Sequence, residues 1–253
     1  MVDPILQVAD LTKVFKRKGH SDVVAVDGVT FSVMPGECVG LVGGSGSGKS
    51  TIAKMITRLI EPTTGTIVLN DRDVTSAKGA ELRAMAKDVQ MVFQSPVQSF
   101  DPRRTLGHGI AESLRNFGMD KHEARNRAAE LLVRCGLSAD FADRYPREVS
   151  GGQCQRAAIA RALAPNPPLI ICDEATSALD VTVQVRIIDL LRDIRRDSNT
   201  AYIFICHDMA LVQDFCDRVL VMQSGRIVEE GPALQVTTSP QHPYTRQLLN
   251  AVL

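Results

Sequence analysis

The 253-residue chain reads as an α/β protein built on a mainly parallel sheet. Short apolar runs (CVGLV, VQMVFQ, LIIC, YIFIC, RVLVM) alternate with stretches of helical period, the pattern of strand–helix–strand units. A helical block from about Thr105 to Glu148 interrupts that alternation and predicts a small inserted subdomain. Hydrophobic residues at 44% and charged residues at 23% exclude a disordered chain. The 29 basic and 29 acidic residues cancel, which argues against a nucleic-acid partner held by bulk positive charge. The longest apolar runs, such as Leu169 to Cys172, have strand length, far below the roughly 18 residues that span a bilayer. The N-terminus, MVDPILQVAD, shows no secretion signal.

The elements follow in order. ILQVADLTKVF and VTFSV are rich in Val, Ile, Thr and Phe and read as strands, and Pro35-Gly36 makes a turn before CVGLV. From Lys49, residues Ile52, Ala53, Ile56, Leu59 and Ile60 share one helix face. TIVLN and VQMVFQ are further strands. Asp120 with Glu123 starts a helix whose buried stripe is Ala124, Ala128, Leu131, Leu132 and Cys135, and Gly136 stops it. After LIIC, a helix carries Ile187, Leu191 and Ile194. The six cysteines form no C-x-x-C pair and no zinc spacing, so reduced, buried thiols are expected.

Residues Gly43 to Ser50 match G-x-x-x-x-G-K-[ST], with an apolar strand before them and an amphipathic helix after. Glycines let backbone N–H groups curl around phosphate oxygens, and the helix N-terminus adds its positive dipole end. In Gly43, Gly44, Ser45, Gly46, Ser47, Gly48, Lys49, Ser50 and Thr51, the Lys49 ammonium suits β and γ phosphates and the Ser50 hydroxyl suits Mg²⁺. PLIICDE supplies the matching acidic strand end: Asp173 for Mg²⁺ and Glu174 as general base. These motifs predict a P-loop NTPase core.

With VSGGQCQR, Val149 to Arg156, the chain resembles the nucleotide-binding subunit of an ABC transporter. The family signature usually begins with Leu, so Val149 is one aliphatic swap away. Ser150 and Gln153 stand at capping-box spacing, Gly151 and Gly152 clear side chains from a possible phosphate path, and Ala157, Ala160, Leu163 and Ala164 continue as a packed face. The resemblance implies roles for further residues. Gln94 matches the glutamine that touches Mg²⁺ and senses the transporter. Ser177-Ala178-Leu179-Asp180 matches the loop that crosses a dimer interface, with Asp180 also a candidate helix cap. His207 matches the switch histidine at the γ-phosphate. Phe15 stands where the family stacks an aromatic, more usually Tyr, on adenine.

The resemblance implies ATP and Mg²⁺ as cofactors and an N-terminal antiparallel β subdomain. It divides a single domain, 1–253, into an ATP-binding core (about 1–94 and 165–235), a helical signature-bearing part (about 95–164) and a short tail (about 236–253). It implies a head-to-tail pair with a second ATP-binding subunit of the same or a related chain. An integral membrane permease would dock on the helical part, served by an extracytoplasmic solute-binding protein, and the motor would lie at the cytoplasmic face of the membrane. SPVQSFDPRRT and SPQHPYTRQLL resemble the branch that imports dipeptides, oligopeptides or nickel. Many members of that branch continue well past the HPYTR segment; this chain stops soon after it, so no extra regulatory or cysteine-bearing tail is expected. The second of these segments also reads more plainly, as a Pro-punctuated surface stretch with a final short helix. A translation-factor relative would need two nucleotide domains, and a DNA-repair relative a long inserted coiled coil. The remaining alternative is the ATPase of a non-transport complex, such as a phosphonate-degrading assembly.

Overall fold

In the computed structural model, which describes residues 3–16, 19, 21–176 and 179–250, the strands sort into two sheets. β1 (Leu6–Phe15) and β2 (Val23–Val33) pair antiparallel. β3 (Cys38–Val42) runs through the glycine loop into α1 (Lys49–Ile56). β4 (Thr64–Leu69) and β5 (Arg72–Asp73) join the first sheet, in the order β2-β1-β4-β5. α2 (Gly79–Met85) leads to β6 (Val89–Val92). Between β6 and β7 (Leu169–Asp173) lie α3 (Leu106–Asn116), α4 (Lys121–Arg134) and α5 (Gly151–Leu163). The chain then alternates through α6 (Val181–Ser198), β8 (Ala201–Ile205), α7 (Met209–Phe215) and β9 (Arg218–Gln223). It ends with β10 (Arg226–Pro232), α8 (Ala233–Thr238) and α9 (Pro243–Asn250).

The second sheet has the order β10-β9-β3-β8-β7-β6, with every pair parallel except β10–β9. Its inner strands are apolar except at their ends, because both faces are covered. Alternate residues serve two cores. Tyr202 and Phe204 of β8 face the core built with α3 to α7, and Ala201, Ile203 and Ile205 face the core shared with α1 and the antiparallel sheet. Ile170 and Cys172 divide from Leu169 and Ile171 in the same way on β7.

The α4 stripe is buried as the spacing predicts, and the Asp120 carboxylate caps the helix by accepting from the His122 and Glu123 amides. The α1 stripe is shorter than expected. Thr57 folds its hydroxyl back to the Ala53 carbonyl at 2.9 Å, and Arg58 turns left-handed at φ 57°. The helix therefore closes at Ile56, and Leu59 is 57% exposed. β10 has no counterpart in the sequence reading, since its acidic, half-exposed RIVEEGP lacks a clean apolar alternation. All six cysteines are buried free thiols. Among the described residues, no helix is long and apolar enough to cross a membrane.

Candidate functional site

Parallel strands place the residues that follow them at one edge of the sheet, the common position of a ligand crevice in such folds. β3 delivers the loop 43–48, β7 delivers Asp173 and Glu174, β8 is followed by His207, and β6 by Gln94, two residues beyond the strand end.

The loop needs its glycines for different reasons. Gly43, Gly46 and Gly48 have φ of 150°, 75° and 110°. A Cβ on Gly43 would collide with the Met222 carbonyl oxygen, and one on Gly48 with that of Ala25. Gly44 is not left-handed, and the one atom within 4 Å of a Cβ there is the Tyr244 hydroxyl, at 3.1 Å. That hydroxyl accepts from the Gly44 amide at 2.8 Å. The Lys49 ammonium is buried and donates to the carbonyls of Gly43 (2.8 Å) and Gly44 (2.9 Å) and to Ser47 Oγ (3.4 Å). Ser45 and Gly46 are exposed at the tip, and Thr51 sits half-buried in the first turn of α1.

The Ser50 hydroxyl donates to Asp173 Oδ1 at 3.0 Å, joining the start of α1 to the end of β7. Burial pushes the Asp173 carboxyl above its ordinary pKa, against the opposing pull of the Ser50 hydrogen bond. Burial likewise lowers Lys49, and Glu174 and Asp173 only partly counter it. The edge thus holds a desolvated cation and a desolvated carboxylate, each short of compensating charge. Glu174 has a left-handed backbone at φ 51°, and its amide donates to the Ile205 carbonyl at 3.0 Å. Its carboxylate is shared: Gln94 Nε2 donates to Oε2 at 2.6 Å, and His207 Nε2 lies 2.5 Å from Oε1. Ser50–Asp173 and Gln94–Glu174–His207 are thus two hydrogen-bonded groups that meet at the adjacent residues Asp173 and Glu174, with the Lys49 ammonium in electrostatic reach of both carboxylates.

The other candidates stand elsewhere. Ser150 caps α5 in a reciprocal box: Gln153 N donates to Ser150 Oγ at 3.3 Å and Ser150 N to Gln153 Oε1 at 2.9 Å. Gly151 lines a cavity of about 330 Å³ with Gln94, Gln155 and Leu179. A Cβ on Gly152 would sit 2.6 Å from Val183 Cγ1, so this glycine admits a close approach of α6. Asp180 caps α6 by accepting from Val183 N at 3.0 Å. Ser177 and Ala178 lie outside the described residues. Phe15 ends β1, 40% exposed, with the Lys13 ammonium 5.2 Å from its ring centre. No hydrogen bond among the described residues joins it to the loop. Tyr244 is the contact that the motif search missed, because 200 positions separate it from Gly44 and no spacing rule links them.

The oxygen donors Ser50 and Asp173 are the hard ligands that Mg²⁺ takes. No group of three or more His, Cys, Asp or Glu among the described residues is arranged to hold a metal alone.

A protein-family model described as ABC transporter matches residues 26–177. The glutathione import ATP-binding protein GsiA of Salmonella paratyphi A is 48% identical over 257 aligned positions, covering 99% of this chain and 41% of that protein. Its counterpart in Escherichia coli gives the same figures. The chain thus spans about two fifths of the length of the curated relatives it matches. A dimeric ATP-binding cassette, solved in a post-hydrolysis state bound to ADP and Pi, aligns with TM-score 0.82 and 31% identity over 90% of this chain and 98% of that one. The protein cbiO1 of Clostridium perfringens, part of an ABC transporter complex, aligns with TM-score 0.81 and 26% identity over 94% and 92% of the two chains.

Proposed function

The chain belongs to the ABC transporter family, and from that premise we propose that it is the ATP-hydrolysing motor of an importer that drives uptake of a small peptide through a separate permease. The observation that carries this reading is the cluster at the sheet edge, where Ser50 meets Asp173 and Glu174 is held between Gln94 and His207. Glutathione, in the names of the relatives, is a tripeptide, which favours a peptide cargo over nickel.

The loop amides and Lys49 receive the β and γ phosphates. Ser50, Asp173 and the Gln94 amide oxygen would hold Mg²⁺ as hard oxygen donors, and the bound ion would supply positive charge against the charge developing on the transferred phosphate. Glu174 takes a proton from the attacking water, with His207 and Gln94 fixing its carboxylate. Phe15 stacks on the adenine. The Ser150–Gln153 helix start and Asp180 serve the nucleotide of a second, head-to-tail ATP-binding subunit, so the working unit has at least two such domains. Attachment to membrane subunits keeps the motor at the cytoplasmic face.

The variant Glu174→Gln tests the assignment. It is expected to bind ATP, lose about 10²- to 10⁴-fold in turnover, and accumulate as an ATP-bound dimer in light scattering. Wild-type turnover in this variant would overturn the role of Glu174. Co-purification with integral membrane subunits tests the importer reading; soluble enzyme partners would replace it with the non-transport alternative.

A further inference from the structure

We infer that Tyr244 is a positioning residue of the phosphate loop, through which the C-terminal helix α9 sets the affinity for the nucleotide. The inference rests on the ATP reading above and adds a control on that same site.

Two features of Gly44 point to it. Its amide donates to the Tyr244 hydroxyl at 2.8 Å, and its carbonyl accepts from the Lys49 ammonium at 2.9 Å. One residue is thus gripped at both ends, by the tail and by the phosphate-binding lysine. Gly44 also lacks the left-handed backbone of Gly43, Gly46 and Gly48. What stands against a side chain there is the Tyr244 hydroxyl, 3.1 Å from an added Cβ. The glycine is small where the tyrosine arrives.

Tyr244 is itself anchored. The Glu229 carboxylate on β10 accepts from the amides of Gln241 (2.7 Å) and His242 (3.0 Å), fixing the entry to α9. His242 Nδ1 accepts from the Tyr244 amide at 3.2 Å. Tyr244, Leu248 and Leu249 are half-buried and pack against the core that also holds Tyr202 and Phe204. Leu249 also lines a cleft of about 650 Å³ with His207 and Asp208. The tail therefore borders both the phosphate loop and the loop of the switch histidine. A hydroxyl that holds the Gly44 peptide plane also holds the carbonyl on which Lys49 rests. Losing it frees the loop's entry before any phosphate is bound, and ordering that entry then weighs against binding.

The test is Tyr244→Phe in the 253-residue chain. It removes the hydroxyl and keeps the ring. One neutral hydrogen bond to a backbone amide corresponds to about three- to tenfold in affinity. The Kd and KM for MgATP are expected to rise by that factor while kcat stays within about twofold. The nucleotide-free Tm falls by no more than about 5 °C, and the rise in Tm on adding MgATP shrinks. A second variant tests the coupling. Gly44→Ala presses a Cβ on the hydroxyl, so it weakens MgATP binding in the wild-type background and much less beside Tyr244→Phe. Unchanged Kd in Tyr244→Phe, a lower nucleotide-free Tm with an unchanged MgATP increment, or additive effects of the two substitutions would each overturn the inference while leaving the ATP reading intact. A wild-type chain that binds no MgATP would overturn both.

Discussion

His207 Nε2 lies 2.5 Å from Glu174 Oε1, so the second residue after β8 meets the carboxylate that follows β7. Gln94 holds the other oxygen. The two neighbours leave Glu174 little rotational freedom, which a general base needs if it is to meet one particular water.

Replacing His207 by Ala removes one of those two holds and leaves the loop untouched. ATP binding should stay within about threefold, and kcat should fall about 10²-fold or more. Steady-state ATPase assays beside equilibrium binding separate the two effects. Equal loss in both would place His207 in binding instead.

Asp173 predicts a trade between stability and activity. Its folded pKa is raised by burial above the unfolded value. The native state therefore holds that proton more tightly, and this group's contribution to stability is greatest below the unfolded pKa and declines as pH rises through the folded one. At neutral pH the carboxylate weighs against the nucleotide-free fold. Asp173→Asn should raise the nucleotide-free Tm and abolish Mg²⁺-dependent turnover, as read by differential scanning calorimetry and phosphate release. A lower Tm would refute the burial argument.

Gly151 and Gly152 should behave differently. An added Cβ on Gly151 meets nothing nearer than Leu179 Cδ2 at 3.9 Å, whereas one on Gly152 meets Val183 at 2.6 Å. Gly152→Ala should cost about 1–3 kcal/mol by overpacking against a stiff β-branched neighbour. Gly151→Ala should unfold with the wild type and lose ATPase activity alone. Urea denaturation distinguishes them, and similar midpoints for the two variants would refute the packing role of Gly152.

The thiols give a further check. Burial pushes Cys135 and Cys172 up to about 12, and Cys154 and Cys206 up to about 11. At pH 8 the native chain should react with a thiol reagent far more slowly than free cysteine, and all six should react after denaturation. Rapid labelling of the native chain would contradict this.

Much of the site was legible because its requirements are local. A glycine loop between a strand and a helix announces itself, and so does an apolar strand ending in Asp173-Glu174. What escaped depends on tertiary contact. The apolar spacing after the loop runs on to Leu59 and Ile60, four residues past the helix end, because the Thr57 hydroxyl and the left-handed Arg58 close the helix at Ile56. The approach of Val183 to Gly152, which adds a packing reason for that glycine, depends on how α6 crosses α5. The edge strand β10 was passed over because exposure removes the apolar pattern that marks inner strands. Tyr244 was read as part of a branch marker, with nothing in its neighbourhood along the chain to suggest Gly44.

β3 contributes Cys38 and Val42 to one core and Val39 and Leu41 to the other, and it is paired on both edges, to β8 and β9. Its amides can meet solvent only when both cores and both ladders open together, which is the slowest class of hydrogen exchange. The loop that would receive ATP is thus tied to the part of the molecule that lets go last.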